Sequence, residues 1–155
     1  MSPMERLRSP EGGGAAGRRG MRTRRIFFDR GSECLRPLSA LIDRQGRRAL
    51  VMWALEYADE LVERFGARYP HERRLREAVE ASRSWACGEA KMPVAREAIL
   101  AAHAAAAEVS GDIAYCSVAH AVGQCCSVVH ARGHALGGPM YALTAIAHET
   151  GAEGA

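Results

Sequence analysis

Apolar residues recur every three or four positions from about Arg44 to Phe65, the spacing that places side chains on one face of an α-helix. This apolar stripe consists of Val51, Ala54, Leu55, Ala58, Leu61, Val62 and Phe65. Acidic and basic residues fill the positions between them, so the opposite face is polar. Asp43 is expected to act as the N-cap of this helix, and Gly66 and Pro70 to end it.

The same spacing predicts a second helix from about Glu72 to Cys87, with Gly88 after its last residue. A third helix is expected from Pro93 to Val109, since proline is favoured in a first helical turn. Ser110 and Gly111 would end that helix, and Asp112 would cap a fourth. Two further helices are expected at about 113–130 and 138–149, separated at the residues Gly133, Gly137, Gly138 and Pro139, with Pro139 in the first turn of the last helix.

The segment from Ile113 to Ala131 contains 19 residues without a charged side chain, which raises the question of a membrane span. Ser117, His120, Gln124 and His130 interrupt it, and such polar groups are costly in lipid unless they are satisfied. Ile113 is also its only Leu, Ile or Phe. A helix rich in small residues and buried in protein is therefore the prediction, with no membrane contact.

Composition favours a single all-α domain. The chain has 155 residues, of which 48% are hydrophobic and only 6% aromatic, so Ala, Leu and Val must form most of the core. Small side chains of this kind suit closely packed helices. We expect a compact antiparallel bundle of five to six helices, with stacked helical hairpins as a variant of that arrangement.

Positive charge is concentrated at the N-terminus. Residues 1–25 carry seven arginines and two glutamates, and the Gly-rich sequence lacks a hydrophobic period, so a disordered basic tail is expected there. Residues 26–43 are interpreted as an arm or short helix, and residues 44–150 as the helical domain. Met21 is an alternative to Met1 as the start. Because residues 26–155 have a small acidic excess, nucleic-acid binding is not predicted.

The five cysteines favour an intracellular, reduced protein. Their number is odd, Cys125 and Cys126 are adjacent, and no CxxC pair occurs. The basic N-terminus is not followed by the apolar run of a secretory signal peptide. Reduced thiols and a cytoplasmic location are therefore expected.

Cys126, His130 and His134 follow each other at four-residue steps and would share one face of an unbroken helix. Thiolate and imidazole groups placed in this way can bind a metal ion. A break near Gly133 would move His134 off that face, and no second ligand motif completes the set. Structural, hydrogen-bonded histidines, with His103 among them, are the favoured interpretation. Metal or small-ligand binding through these three residues is the alternative, and no cofactor is predicted.

No catalytic residues are assigned. A thiol nucleophile formed by Cys125 or Cys126 with His130 would need an electropositive and partly exposed setting. This uncharged segment is instead expected to be buried. GGGAAG at residues 12–17 lacks the lysine and hydroxyl residue of a phosphate-binding loop. The chain is predicted not to be an enzyme.

Charge depletion predicts an interaction surface near the C-terminus. Residues 98–148 include only three charges, Glu108, Asp112 and Arg132. So few charges on three helices predict an exposed neutral face on the last two, with Met140 and Tyr141 as anchors for a partner or a second copy. Trp53 and Trp85, on separate helices, are further candidate anchors. A structural homodimer is thus a second alternative.

Four segments resemble one bacterial family. They are WALEYADELVERF at 53–65, YPHERRLREAVEASRSWACGE at 69–89, VAREAILAAHAAA at 94–106 and AVGQCCSVVHARGHALGGPMYALTAI at 121–146. Together they are similar to the "putative immunity protein" family with its immunity-five-like domain, over about residues 44–148. The positions that match the family pattern are Trp53, Trp85, His103, His130, His134 and Tyr141.

This resemblance implies an all-helical cytosolic protein that neutralises a cognate toxin by binding it. It implies no catalytic residues and no cofactor. The leading functional hypothesis is therefore an immunity-type protein that covers a toxin surface. Residues 1–25 have no counterpart in the pattern, and Cys125 and Cys126 occupy positions where small apolar residues are expected.

Overall fold

The computed structural model describes residues 29–151, and these residues form helices connected by short turns. After a single 3-10 turn at Glu33–Leu35 come α1 (Arg36–Arg44), α2 (Arg47–Arg68), α3 (Arg74–Cys87), α4 (Met92–Glu108), α5 (Ile113–Ser127) and α6 (His134–Thr150). The described part of the chain contains no strand. The all-α prediction is confirmed. The predicted tail at residues 1–25 lies outside the described residues.

Helices α2 to α6 form an antiparallel bundle in which successive helices reverse direction. Arg48, near the start of α2, donates to the carbonyl of Ala86 near the end of α3. Glu108 at the end of α4 reaches Arg74 at the start of α3. Because α2 and α6 are separated by an even number of reversals, they run parallel to each other. As a result α2, α4 and α6 all begin at the same end of the bundle.

Helix α5 occupies the centre of this bundle and packs against α2, α3, α4 and α6. Nine of its fifteen residues are buried, among them Val118, Val122, Cys125 and Cys126. A helix enclosed on so many sides has no solvent-facing stripe where a charged side chain could be hydrated. This position explains the long uncharged segment that the sequence shows.

None of the helices within residues 29–151 combines the length and apolar character that crossing a bilayer requires.

The predicted cap of the first long helix is wrong. Asp43 lies inside α1, one residue before its end, and α2 starts three residues later than expected, after Gly46. The two helices follow each other so closely that the apolar period runs through the junction. The Asp112 cap, by contrast, is confirmed. Its carboxylate accepts from the backbone N–H of Tyr115 at 3.5 Å and from the Tyr69 hydroxyl at 2.9 Å.

Pro139 was expected in a first helical turn but lies well inside α6, which begins at His134. Its missing N–H would have bonded to the carbonyl of Ala135, so only one bond near the helix start is lost. Gly137 and Gly138 also lie within α6 and are not breaks. A Cβ atom at Gly138 would come within 2.6 Å of Cys125 Sγ, so this glycine allows α6 to approach α5 closely.

Candidate functional site

The outward side of α6 presents an apolar strip, which we call the α6 face, formed by Leu136, Pro139, Leu143 and Ile146. Leu143 and Ile146 are each 46% exposed. Glu149 is the only Asp, Glu, Lys or Arg of this helix. Because α6 packs mainly on α5 and, less extensively, on α2, the side away from them is largely uncovered within the described residues. A neutral exposed surface was expected here.

The two anchors predicted for that surface are not on it. Met140 is 3% exposed and Tyr141 is 9% exposed. They lie on the side of α6 that faces the bundle, where Tyr141 stacks on His120 with ring centroids 5.1 Å apart. Leu143 and Ile146 hold the exposed positions instead. The prediction that Met140 and Tyr141 are exposed is therefore wrong, because these two residues lie on the side of α6 that faces the bundle.

Trp53 keeps the exposure that a partner-binding residue requires, at 38%. It lies beside a groove of about 230 Å³ between α1 and α2, whose lining is mostly apolar and includes Leu38, Leu41 and Leu50. Its ring makes an edge contact with Tyr57, one turn further along α2. The Tyr57 hydroxyl lies where a Cβ atom on Gly138 of α6 would be. Trp53 is therefore linked to the N-terminal part of α6 through Tyr57.

Trp85 has a different setting. It is half-buried on α3 and packs against the core. The guanidinium group of Arg48 covers its ring, with the Arg48 Cζ atom 5.3 Å from the ring centroid. This cation–π contact joins the end of α3 to the start of α2.

Four of the six histidines form a row across α4, α5, the turn that follows α5, and the start of α6. His103 and His120 have ring centroids 6.4 Å apart, and His130 and His134 have centroids 5.3 Å apart. The row crosses the helices because antiparallel packing brings residues that are distant in sequence to the same level. We call His103, His120, His130 and His134 the histidine row.

Side-chain amide and hydroxyl groups hold two of these rings in place, those of His103 and His134. His103 Nε2 lies 3.2 Å from Ser127 Oγ, and that hydroxyl lies 2.7 Å from the Gly123 carbonyl, to which it donates. His103 Nε2 is then the donor toward Ser127 Oγ. His134 Nδ1 lies 2.9 Å from the amide oxygen of Gln124, so Nδ1 carries the proton.

The surroundings of His103, His130 and His134 favour the uncharged imidazole. Burial lowers the pKa of His103, His130 and His134 below the usual value of 6.5 in each case. Repulsion lowers these pKa values further. His103 and His134 are affected by His130, and His130 by Arg96 and Arg47. The charged groups that shift these three pKa values are all cationic, so the three rings lie in a positive potential.

The three residues of the metal hypothesis are not brought together. α5 ends at Ser127, so Cys126 and the two histidines do not share one helix. Cys126 is fully buried, its thiol faces Ser82 of α3, and its pKa is raised by burial. His130 is exposed in the turn before α6. Within residues 29–151 no three His, Cys, Asp or Glu side chains are placed to hold a metal ion.

Ser127 and His103 also do not have the geometry of an activated nucleophile. Ser127 is 1% exposed, and its proton is directed to the Gly123 carbonyl. A general base would have to accept that proton, whereas His103 Nε2 donates. The arrangement ties α4 to α5 and leaves no access for a substrate at the hydroxyl.

Sequence reasoning identified three members of the row, His103, His130 and His134, but not their partners Gln124 and Ser127. The feature of the sequence that could have identified these partners is the presence of glycines within α5 and α6. A Cβ atom at Gly123 would lie 2.7 Å from the His103 ring, and one at Gly137 would overlap the Gln124 amide. Glycines inside otherwise good helices indicate close approach, and here they mark the polar contacts between α4, α5 and α6.

The described residues thus form an all-α bundle in which histidines join the helices and an apolar face of α6 is exposed. The family described as "Imm-5 like putative immunity protein" matches residues 40–155, and the chain belongs to this family. The resemblance seen in the sequence is confirmed. No curated protein and no solved structure matches the chain in the same comparisons.

Proposed function

We propose that this chain is a cytoplasmic immunity protein that binds a cognate protein toxin through the α6 face and blocks the toxin without catalysis. The observation that supports it is the exposure of Leu143 and Ile146 on a helix with a single charged residue. Family membership supports a toxin as the occupant of that face.

The α6 face has the properties of the centre of a protein interface. Its exposed side chains are large and apolar, and they project from a rigid helix, so little conformational entropy is lost on binding. Trp53, which Tyr57 links to the N-terminal part of α6, is retained as a candidate anchor because it is exposed and tryptophan is enriched among residues that dominate interface energies. His103, His120 and Met140 support this face from behind rather than contacting a partner.

The test uses the protein encoded beside this chain's gene, since a toxin and its immunity protein are expected to be neighbours. Cells that produce this toxin should survive when they also produce the wild-type chain. Leu143→Glu should abolish that protection, and it should weaken binding of the purified toxin by about tenfold or more. Ile146→Glu should act in the same direction.

Leu100→Glu is the matched control. Leu100 is 61% exposed on α4, which packs on α3 and α5, and it introduces the same charge on another side of the bundle. This variant should protect cells fully. Circular dichroism and thermal melting should show that all three variants remain folded.

Two results would refute the proposal. Full protection by Leu143→Glu and Ile146→Glu would show that the toxin binds elsewhere. Sedimentation could also show that these substitutions turn a dimer into a monomer while protection is unchanged. The α6 face would then be an interface between two copies of this chain, which is the homodimer alternative.

A further inference from the structure

Two groups of arginines among the described residues differ in their partners. Those in the C-terminal half of α2, at the N-cap of α3 and on α3 pair with carboxylates within 4 Å, namely Arg64, Arg68, Arg73, Arg74, Arg76 and Arg83. At the opposite end of the bundle, Arg30 and Arg132 donate to backbone carbonyls. Their partners are Gly133 at 2.8 Å and Asp43 at 2.7 Å.

A backbone carbonyl positions a guanidinium group but does not neutralise its charge. Arg30 and Arg132 each use one nitrogen in these bonds, so further N–H groups remain available. Arg47 and Arg96 are exposed at the same end. In the part of the chain that the structure describes, no carboxylate lies within 4 Å of any of these four arginines.

The fold brings these residues together around the turn between α5 and α6. Helices α2 and α4 begin near it, with Arg47 as the first residue of α2 and Arg96 as the fifth residue of α4, and α6 begins there with His134. His130, in the turn itself, is close enough to Arg47 and Arg96 for both to lower its pKa, after the larger effect of burial. Arg30 acts in the same way on His134. The local potential is therefore positive.

We propose that Arg30, Arg47, Arg96 and Arg132, with His130 and His134, form a docking surface for the carboxylates of an acidic segment of a protein partner. We call these six residues the basic end. If the proposed function holds, that partner is the toxin. The planar guanidinium group binds a carboxylate through two parallel N–H···O bonds, which gives both affinity and orientation.

An acidic protein segment suits the basic end better than a nucleic acid does. Asp43 and Glu97 are exposed on the same side of the bundle. The backbone carbonyl of Asp43 accepts from Arg132, and Glu97 follows Arg96 in sequence. A phosphodiester backbone carries a charge at every nucleotide and would be repelled by both. A protein can place carboxylates opposite the arginines and neutral or basic side chains opposite Asp43 and Glu97.

The basic end also continues into the α6 face. Arg30 bonds to Gly133, immediately before α6, and Leu136 follows within the first turn of the helix. A partner centred on Leu143 could therefore reach the arginines at its border. This gives the usual arrangement of an apolar interface centre with a charged rim, in which the rim sets the rate and specificity of association.

The experiment measures binding of a fluorescein-labelled, glutamate-rich peptide to the full chain at low and physiological salt. The double variant Arg47→Gln/Arg96→Gln should weaken binding by about threefold to tenfold at low salt. The control Arg76→Gln/Arg83→Gln removes the same charge from α3 and should bind as the wild type does. Amide shifts in NMR spectra with the peptide should fall at residues 45–50, 94–98 and 130–136.

Three results would overturn the proposal. Equal losses in both double variants would show that only net charge matters. Amide shifts confined to other residues would place the peptide elsewhere. Tighter binding of duplex DNA than of the peptide, lost in Arg47→Gln/Arg96→Gln, would assign the basic end to nucleic acid. Because the peptide test contains no toxin, and Leu143→Glu should bind the peptide normally, its failure is distinct from failure of the proposed function.

Discussion

Gly123 of α5 lies directly against the imidazole of His103 on α4, so closely that a Cβ atom at position 123 would stand 2.7 Å from ring atom Cε1. The ring cannot simply turn away, because its Nε2 is held by Ser127 one turn further along α5. The contact between the two helices therefore depends on the absence of a side chain at this position.

Gly123→Ala should consequently destabilise the protein by about 1–3 kcal/mol, the usual cost of adding a methyl group to a closely packed interior. Urea denaturation followed by circular dichroism would measure this. Gly66→Ala is the matched control on α2, because a Cβ atom there meets nothing within 4 Å. That variant should gain up to about 1 kcal/mol from improved helix propensity. Equal effects of the two substitutions would contradict the packing argument.

The sequence predicted the helices better than it predicted their relative rotation. Periodicity located α2 and α3 because their charged residues mark the side that faces water. In α6 such marks are missing, since Met140, Tyr141, Leu143 and Ile146 are all apolar and Glu149 is the only charge. Which of these residues face outward is decided by contact with α5 and α2, and no local pattern records that contact.

The histidine row shows a second limit of the sequence. His130 and His134 are close in sequence and were grouped at once, but with Cys126, which points into the core. Ser127 pairs with His103 across 24 positions of the chain. Such pairs depend on the register between antiparallel helices, which is set by close contacts such as that of Gly123. Glycine was interpreted as a helix breaker, and in α5 and α6 it serves packing.

Asp112→Ala should lower the free energy of unfolding by about 1 kcal/mol, because it removes the N-cap of α5. The carboxylate also accepts from the Tyr69 hydroxyl at 2.9 Å, so the substitution leaves a second donor without its partner. Asp43→Ala is the control, since Asp43 lies in the last turn of α1 and was wrongly predicted as a cap. Thermal melting should separate them. A larger loss of stability in Asp43→Ala than in Asp112→Ala would support the sequence-based assignment of Asp43 as a helix N-cap.

The five thiols should differ sharply in reactivity. None of the five cysteines, all of which lie within residues 29–151, forms a disulfide; Cys34 and Cys87 are exposed, Cys116 is intermediate, and Cys125 and Cys126 are buried. Burial raises the pKa of the Cys125 thiol to about 12 and also raises that of Cys126, so neither forms the reactive thiolate near neutral pH. Ellman's reagent should modify Cys34 and Cys87 rapidly. Cys125 and Cys126 should react only at the rate of global unfolding.

Mass spectrometry of the partly labelled protein can assign the modified residues. Rapid modification of Cys125 or Cys126 in the folded protein would mean that α5 is not the enclosed central helix. Urea at concentrations that unfold the chain should make all five cysteines react at similar rates. This provides the internal control for the reagent and for the thiol count.

Stability should fall as the pH is lowered from 7 to 5, because the folded protein holds His103, His130 and His134 with lowered pKa values. In the unfolded chain these residues bind protons near pH 6.5. Below that pH the unfolded state binds more protons than the folded state, so the free energy of unfolding decreases as pH decreases. At pH 7 and above, the neutral forms of His103, His130 and His134 make their full contribution to the free energy of unfolding.

The carboxylates affect the stability of the protein in a different pH range from the histidines. Arg74 lowers the pKa values of Glu72 and Glu108 below 4.5, so the stability they contribute is present above that value and is lost only in stronger acid. Melting curves between pH 5 and 7 therefore report mainly on the histidines.

His103→Gln removes one titrating ring from the row, and its melting temperature should depend less on pH than that of the wild type. His71→Gln, on an exposed turn away from the row, should keep the wild-type dependence. If all three proteins lost the same number of degrees between pH 7 and 5, the acid sensitivity would have its origin outside the histidine row.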